Sequence, residues 1–148
     1  MVRHENFIKT LEKHRDDQTL FYTQEVDDEV VEHIRKNAQI EGGARKGNIV
    51  YAEKIPYMTK KFLHETDEKM KQYYYCHCGW VREALKTGEV KVPSKFCDCS
   101  AGYYKNQWDV ILDQPVEVEV IETILNGDSR CLFAIHLPND VVKIADKE

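Results

Sequence analysis

Two Cys-x-Cys pairs constrain this chain more than any other feature. Cys76 and Cys78 flank His77, Cys97 and Cys99 flank Asp98, and eighteen residues separate the pairs. Thiolates are soft, strong ligands for zinc and for iron–sulfur clusters, and a structural zinc takes four protein ligands in a tetrahedron. The two pairs supply that number if the segment between them folds back. A fifth thiol, Cys131, follows in an apolar, strand-like run. Five cysteines leave one over in any disulfide scheme, and the N-terminus lacks the apolar core of a secretory signal. Reduced thiols in a cytoplasmic protein are therefore expected, acting as metal ligands or as reactive groups.

The residues between the thiols widen the chemistry. His77 and Asp98 can each serve as a replacement ligand or a general base, or point to solvent as the alternation with cysteine allows. A thiol beside His77 can have a lowered pKa and act as a nucleophile or redox centre. The catalytic candidates on that reading are His77, Cys131 and His136.

The 148 residues fit one domain, 1–148. Its parts are a helical N-terminal part (1–72), a cysteine-rich metal region (73–112) and a β-hairpin (115–138). A net charge of −5 argues against nucleic-acid binding, which needs a basic footprint. No run approaches the roughly 18 apolar residues that cross a bilayer.

Helical spacing predicts a helix over 5–15, through Phe7, Ile8 and Leu11, and a second from Asp27, through Val30, Val31, Ile34 and Ala38, ended by Gly42 and Gly43. The segment from Gly42 to Asn48 reads as a connector, since it matches no complete phosphate-binding motif. Ile49 to Tyr51 read as a brief strand. A single helix is expected to start near Pro56 and carry Met58, Phe62, Leu63 and Met70. Trp80, Val81, Ala84 and Leu85 predict a helix capped by Gly88. Ser100 is placed as the cap of a helix bearing Tyr104, Trp108, Ile111 and Leu112, with Pro115 as its stop. Val116, Val118 and Val120 alternate with glutamates, the period of a strand with one wet face, and a bulge is expected near Ile121. Asn126-Gly127 predicts a tight turn. The return strand places Cys131, Phe133, Ile135 and Leu137 on one face and Leu132, Ala134 and His136 on the other. The fold class expected is α+β, with helices packed on one side of a small antiparallel sheet ending in a C-terminal hairpin.

The hairpin resembles the end of vinyl-reductase-type small-molecule (hydrocarbon) binding domains, in which a strand, a Gly-Asp turn and a Cys-x-Phe return strand close an α/β fold. Gly127, Asp128, Cys131 and Phe133 carry the resemblance, over residues 95–137. It implies a zinc held by cysteines, Cys131 among them, beside an apolar pocket that takes aromatic ligands. Family members carry a further cysteine four residues before the turn glycine, where this chain has Thr123. The resemblance then leaves Cys97 or Cys99 to join Cys131, with Cys76 or Cys78 replacing what Thr123 lacks, so that one of the other four thiols is spare. The order of the two pairs is also similar to the SWIM zinc finger, with Cys99 standing in place of its histidine.

The expectation is a small-molecule-binding domain with a cysteine-coordinated zinc beside an apolar pocket walled by Trp80, Tyr104, Trp108 and Phe133. The metal candidates are Cys76, Cys78, Cys97, Cys99 and Cys131, five thiols for four places, with an iron–sulfur cluster as the second choice of cofactor. The expected partner is a small apolar or aromatic molecule, with no nucleic acid and no membrane span; a homodimer is compatible with the sequence. Two alternatives stand beside this: a metal- or thiol-dependent hydrolase or reductase, and a zinc-stabilised interaction module.

Overall fold

The structure, a computed structural model, describes residues 2–145. It is an α+β fold whose elements run α1 (Val2–Asp16), α2 (Asp28–Arg35), β1 (Ala44–Lys46), β2 (Ile49–Glu53), α3 (Thr59–His64), α4 (Glu68–Tyr75), α5 (Gly79–Thr87), α6 (Asp98–Leu112), β3 (Glu117–Glu122), β4 (Leu132–His136) and α7 (Asn139–Ala145). The four strands form one antiparallel sheet in the order β1-β2-β4-β3. Among the described residues, no helix is long and apolar enough to cross a membrane.

β4 is central because Leu132 to Ile135 are buried on both faces, and a strand without a wet face needs a neighbour on each side. β3 keeps its alternation and takes an edge, with its register shift falling between Val120 and Glu122, at Ile121. Strand pairing sets Val50 opposite Ile135 and Ala52 opposite Phe133. Side chains alternate along a strand, so these four share one face. There α6 lays Tyr104, Trp108 and Leu112 against Val50, Ala52, Val116, Ile135 and Leu137. A second cluster, Leu11, Val31, Ile34, Ile40 and Ile55, joins α1 and α2 to the chain that leaves β2. Asp27 caps α2 by accepting from the Val30 N–H at 3.0 Å.

Several local expectations are corrected. The 42–48 connector is instead β1 and a turn into β2, so the N-terminal part supplies half of the sheet. The second helix ends at Arg35, before Gly42. The single helix after Pro56 is two, because the Asp67 side chain caps a fresh start by accepting from the Met70 N–H. Ser100 does not cap α6; it lies inside the first turn. Ile111, counted in the buried stripe of α6, is exposed. The tight Asn126-Gly127 turn is a longer connection. A short 3-10 turn over Ile124–Asn126 is capped by Thr123, and Gly127 takes φ +90°. That connection ends at Arg130, whose guanidinium bonds Glu122 and the buried Glu53, the latter at 3.0 Å.

One buried phenol joins helices to sheet. The Tyr75 hydroxyl donates to the Lys54 carbonyl at 2.7 Å and accepts from the Cys131 N–H at 3.0 Å. These are adjacent strand ends, themselves linked by the Lys54 N–H to the Cys131 carbonyl at 3.0 Å.

Removing only that hydroxyl, in Tyr75→Phe, is expected to cost about 1–3 kcal/mol, because a buried N–H and C=O lose their partner. Arg130→Met strands the Glu53 carboxylate with Asn37 alone and is expected to cost about 2–3 kcal/mol, softened by the partial exposure of Arg130. Urea unfolding should register both as lower midpoints at unchanged slope.

Candidate functional site

Lys54 continues the face that carries Val50 and Ala52, and Cys131 continues the face that carries Phe133 and Ile135. Period-two alternation therefore brings an amine and a thiol to the same end of the sheet. The turn between α4 and α5 adds Cys76, His77 and Cys78, and the 3-10 turn before α6 adds Cys97. These side chains, with Tyr75, Val81, Phe96, Ser100 and Phe133, line one small cavity of about 30 Å³. Four of the five candidate thiols thus meet there. Cys99 does not: it is exposed and lies outside the cavity lining.

Burial sets the electrostatics. It pushes the Cys131 thiol up to about 11 and raises Cys76 and Cys97 above the ordinary thiol value. The Thr123 hydroxyl opposes this at Cys97 through a hydrogen bond. The Lys54 amine is drawn below its ordinary value by burial, which Cys131, Cys76, Cys97 and Cys78 oppose. Its Nζ donates to Ser100 Oγ at 2.9 Å. His77 is pushed down to about 4, first by burial and then by Lys54. As a neutral ring it donates from Nε2 to the Ile55 carbonyl at 2.7 Å, so that nitrogen is committed to the main chain. Among the described residues, no three Cys, His, Asp or Glu side chains are gathered closely enough to hold a metal ion as they stand.

The other candidates separate. His136 points to the opposite face of the sheet from Cys131, with Nε2 at 3.5 Å from Glu119. Asp98 opens α6 and does not line the cavity. Of the four expected pocket walls, only Phe133 lines the thiol cavity. Tyr104 and Trp108 line a second cavity of about 250 Å³ between α6, Gly42–Gly43 and the start of α1. The Tyr104 and Phe133 rings lie 4.9 Å apart, so this aromatic pair separates the two cavities. Trp80 is exposed on α5 and flanks a surface groove with Val90, Pro93 and Phe96.

Lys54 and Tyr75 escape the sequence reading. Lys54 was detectable in principle by running the period of Val50 and Ala52 one step further. Tyr75, in a run of three tyrosines, carries no signal that distinguishes it from its neighbours.

No curated protein and no solved structure matches this chain. A family model does match, over residues 18–142, and nothing in that match leads to a vinyl-reductase-type domain. The matched span covers both cavities apart from the first turn of α1, and the chain belongs to that family, a family of unknown function (DUF6144).

Proposed function

We propose that the chain is a cytoplasmic small-molecule-binding domain in which Cys76, Cys78, Cys97 and Cys131 hold a zinc ion beside an aromatic-walled pocket. The observation that carries this reading is the convergence of four thiols, from three separate stretches, on one cavity that a single aromatic pair divides from another. The donor set suits a soft metal, and a space of about 30 Å³ suits one ion better than a cluster. These four thiols would have to be drawn closer together to hold the ion. Held as thiolates, Cys76, Cys78, Cys97 and Cys131 would join helix end, 3-10 turn and strand through the ion, which would supply folding stability there. Lys54 then stands as a positive charge beside an anionic centre. Cys97 meets Thr123, the position where the vinyl-reductase-type pattern has its further cysteine, and the Gly127-Asp128, Cys131-x-Phe133 order stands at the same hairpin. Both support the likeness to that family.

A thiol-dependent hydrolase or reductase is less well served. Its nucleophile needs a lowered pKa and a base, whereas burial raises three of these thiols and His77 is bound to a carbonyl.

Metal analysis of protein purified under reducing conditions should find about one zinc per chain. Cys97→Ser and Cys131→Ser should lose the zinc and melt earlier, while Cys99→Ser should keep it. A fully folded chain with no metal under those conditions sinks the reading.

Protons compete with zinc for thiolates, so bound zinc should fall as the pH is lowered. In stripped protein, alkylation followed by mass spectrometry should mark exposed Cys99 first and Cys131 last. Restored zinc should protect every thiol except Cys99.

A further inference from the structure

The cavity on the far side of the Tyr104–Phe133 pair has chemistry of its own. Its rim carries the guanidinium of Arg3 and the carboxylate of Glu41, 3.7 Å apart and about half exposed, at 53% and 41%. That is an ion pair without a hydrogen bond between its ends, in water, and so a weak one. Gly42 makes the approach possible: a Cβ there would lie 2.8 Å from the Cβ of His4, so only a glycine lets α1 bring Arg3 down to Glu41.

Four of the lining side chains are aromatic, set among polar groups that include Gln107. Tyr104 and Trp108 form the inner side, and Tyr22 and Tyr103, both largely exposed, flank the mouth. Tyr22 and Glu41 hold φ of +52° and +61°, a region that L residues rarely adopt and that concentrates at binding sites. The Tyr104 phenol is held protonated first by burial and then by Glu41, with Arg3 opposing, so it feels both charges of the rim. Its hydroxyl makes no hydrogen bond to a described residue. At about 250 Å³ the cavity is smaller than the roughly 300–1,000 Å³ of drug-sized sites, which restricts its ligand to metabolite size.

We infer that this cavity binds a small zwitterion of the α-amino acid class with an apolar or aromatic side chain. Its carboxylate meets the Arg3 guanidinium, its ammonium meets Glu41, and its side chain lies against Tyr104 and Trp108. The rim presents one charge of each sign, so a zwitterion finds a partner for both of its desolvated ends, while a ligand bearing a single charge leaves a rim group unmatched. A guanidinium suits a carboxylate by its fork of donors, and ring faces favour the ammonium. The inference rests on the small-molecule reading above and names the ligand class.

Calorimetric titration of the full chain with four probes tests it: L-phenylalanine, phenylacetate, phenethylamine and p-cresol. L-phenylalanine should bind, with the two singly charged probes about tenfold weaker or worse. Arg3→Gln and Glu41→Gln, both at exposed positions, should each weaken L-phenylalanine by about tenfold while leaving the circular dichroism unchanged. The Trp108 indole resonance should shift on binding in the wild type. If p-cresol binds as well as L-phenylalanine and neither rim substitution matters, the zwitterion assignment is overturned while the small-molecule reading stands. If none of the four binds, both are overturned, and the zinc measurement alone decides the metal centre.

Discussion

Much of this molecule depends on the hydroxyl of Tyr75. From the end of α4 it bonds the main chain just after β2 and just before β4, accepting from the Cys131 N–H and donating to the Lys54 carbonyl. The result is mechanical. The Lys54 and Cys131 backbones are pinned together, and the residues directly after Tyr75 are delivered onto them. Those residues are Cys76, His77 and Cys78. Together with the His77 bond to the Ile55 carbonyl, that anchor makes the pair one wall of a cavity whose opposite wall is strand.

His77 shows how firmly the turn is held. Its ring is buried and neutral, and its Nε2 is bonded to the Ile55 carbonyl, so that nitrogen holds the turn to the main chain. Position alone makes a histidine between two cysteines look like a catalytic base or a ligand; the bond at Nε2 is an architectural contact that its position did not announce. The Arg130 contacts with Glu53 and Glu122 act similarly on the other side of the sheet, tying the connection before Cys131 to both neighbouring strands.

The two cavities are neighbours, joined by one ring contact. Tyr104 packs on Phe133, and both rings stand on the face that carries Ala52, Lys54 and Cys131. A metal drawing the thiols together would act on Phe133 from one side, and a ligand filling the other cavity would act on Tyr104. The molecule therefore has a short physical path between a thiol centre and a polar, aromatic pocket, made of two rings in contact.

Local signals determined a good deal by themselves. The α+β class, the helices at Val30–Ile34 and Trp80–Leu85, the bulge at Ile121, and the alternation that puts Cys131 and Phe133 on one face all follow from periodicity and caps, which act over a few residues. The choice among five thiols does not. Two tidy pairs suggest that Cys97 and Cys99 act together, yet Cys97 ends a 3-10 turn facing the sheet, while two residues later Cys99 lies on the outward side of α6. Only tertiary packing brings Cys131, and not Cys99, to the cavity with the other thiols, because that meeting joins residues 34 to 55 positions apart. The same is true of Lys54 and Tyr75, and of the dispersal of Trp80 from Tyr104 and Trp108: sequence spacing sets which way a side chain leaves its own helix or strand, and tertiary packing sets what it meets.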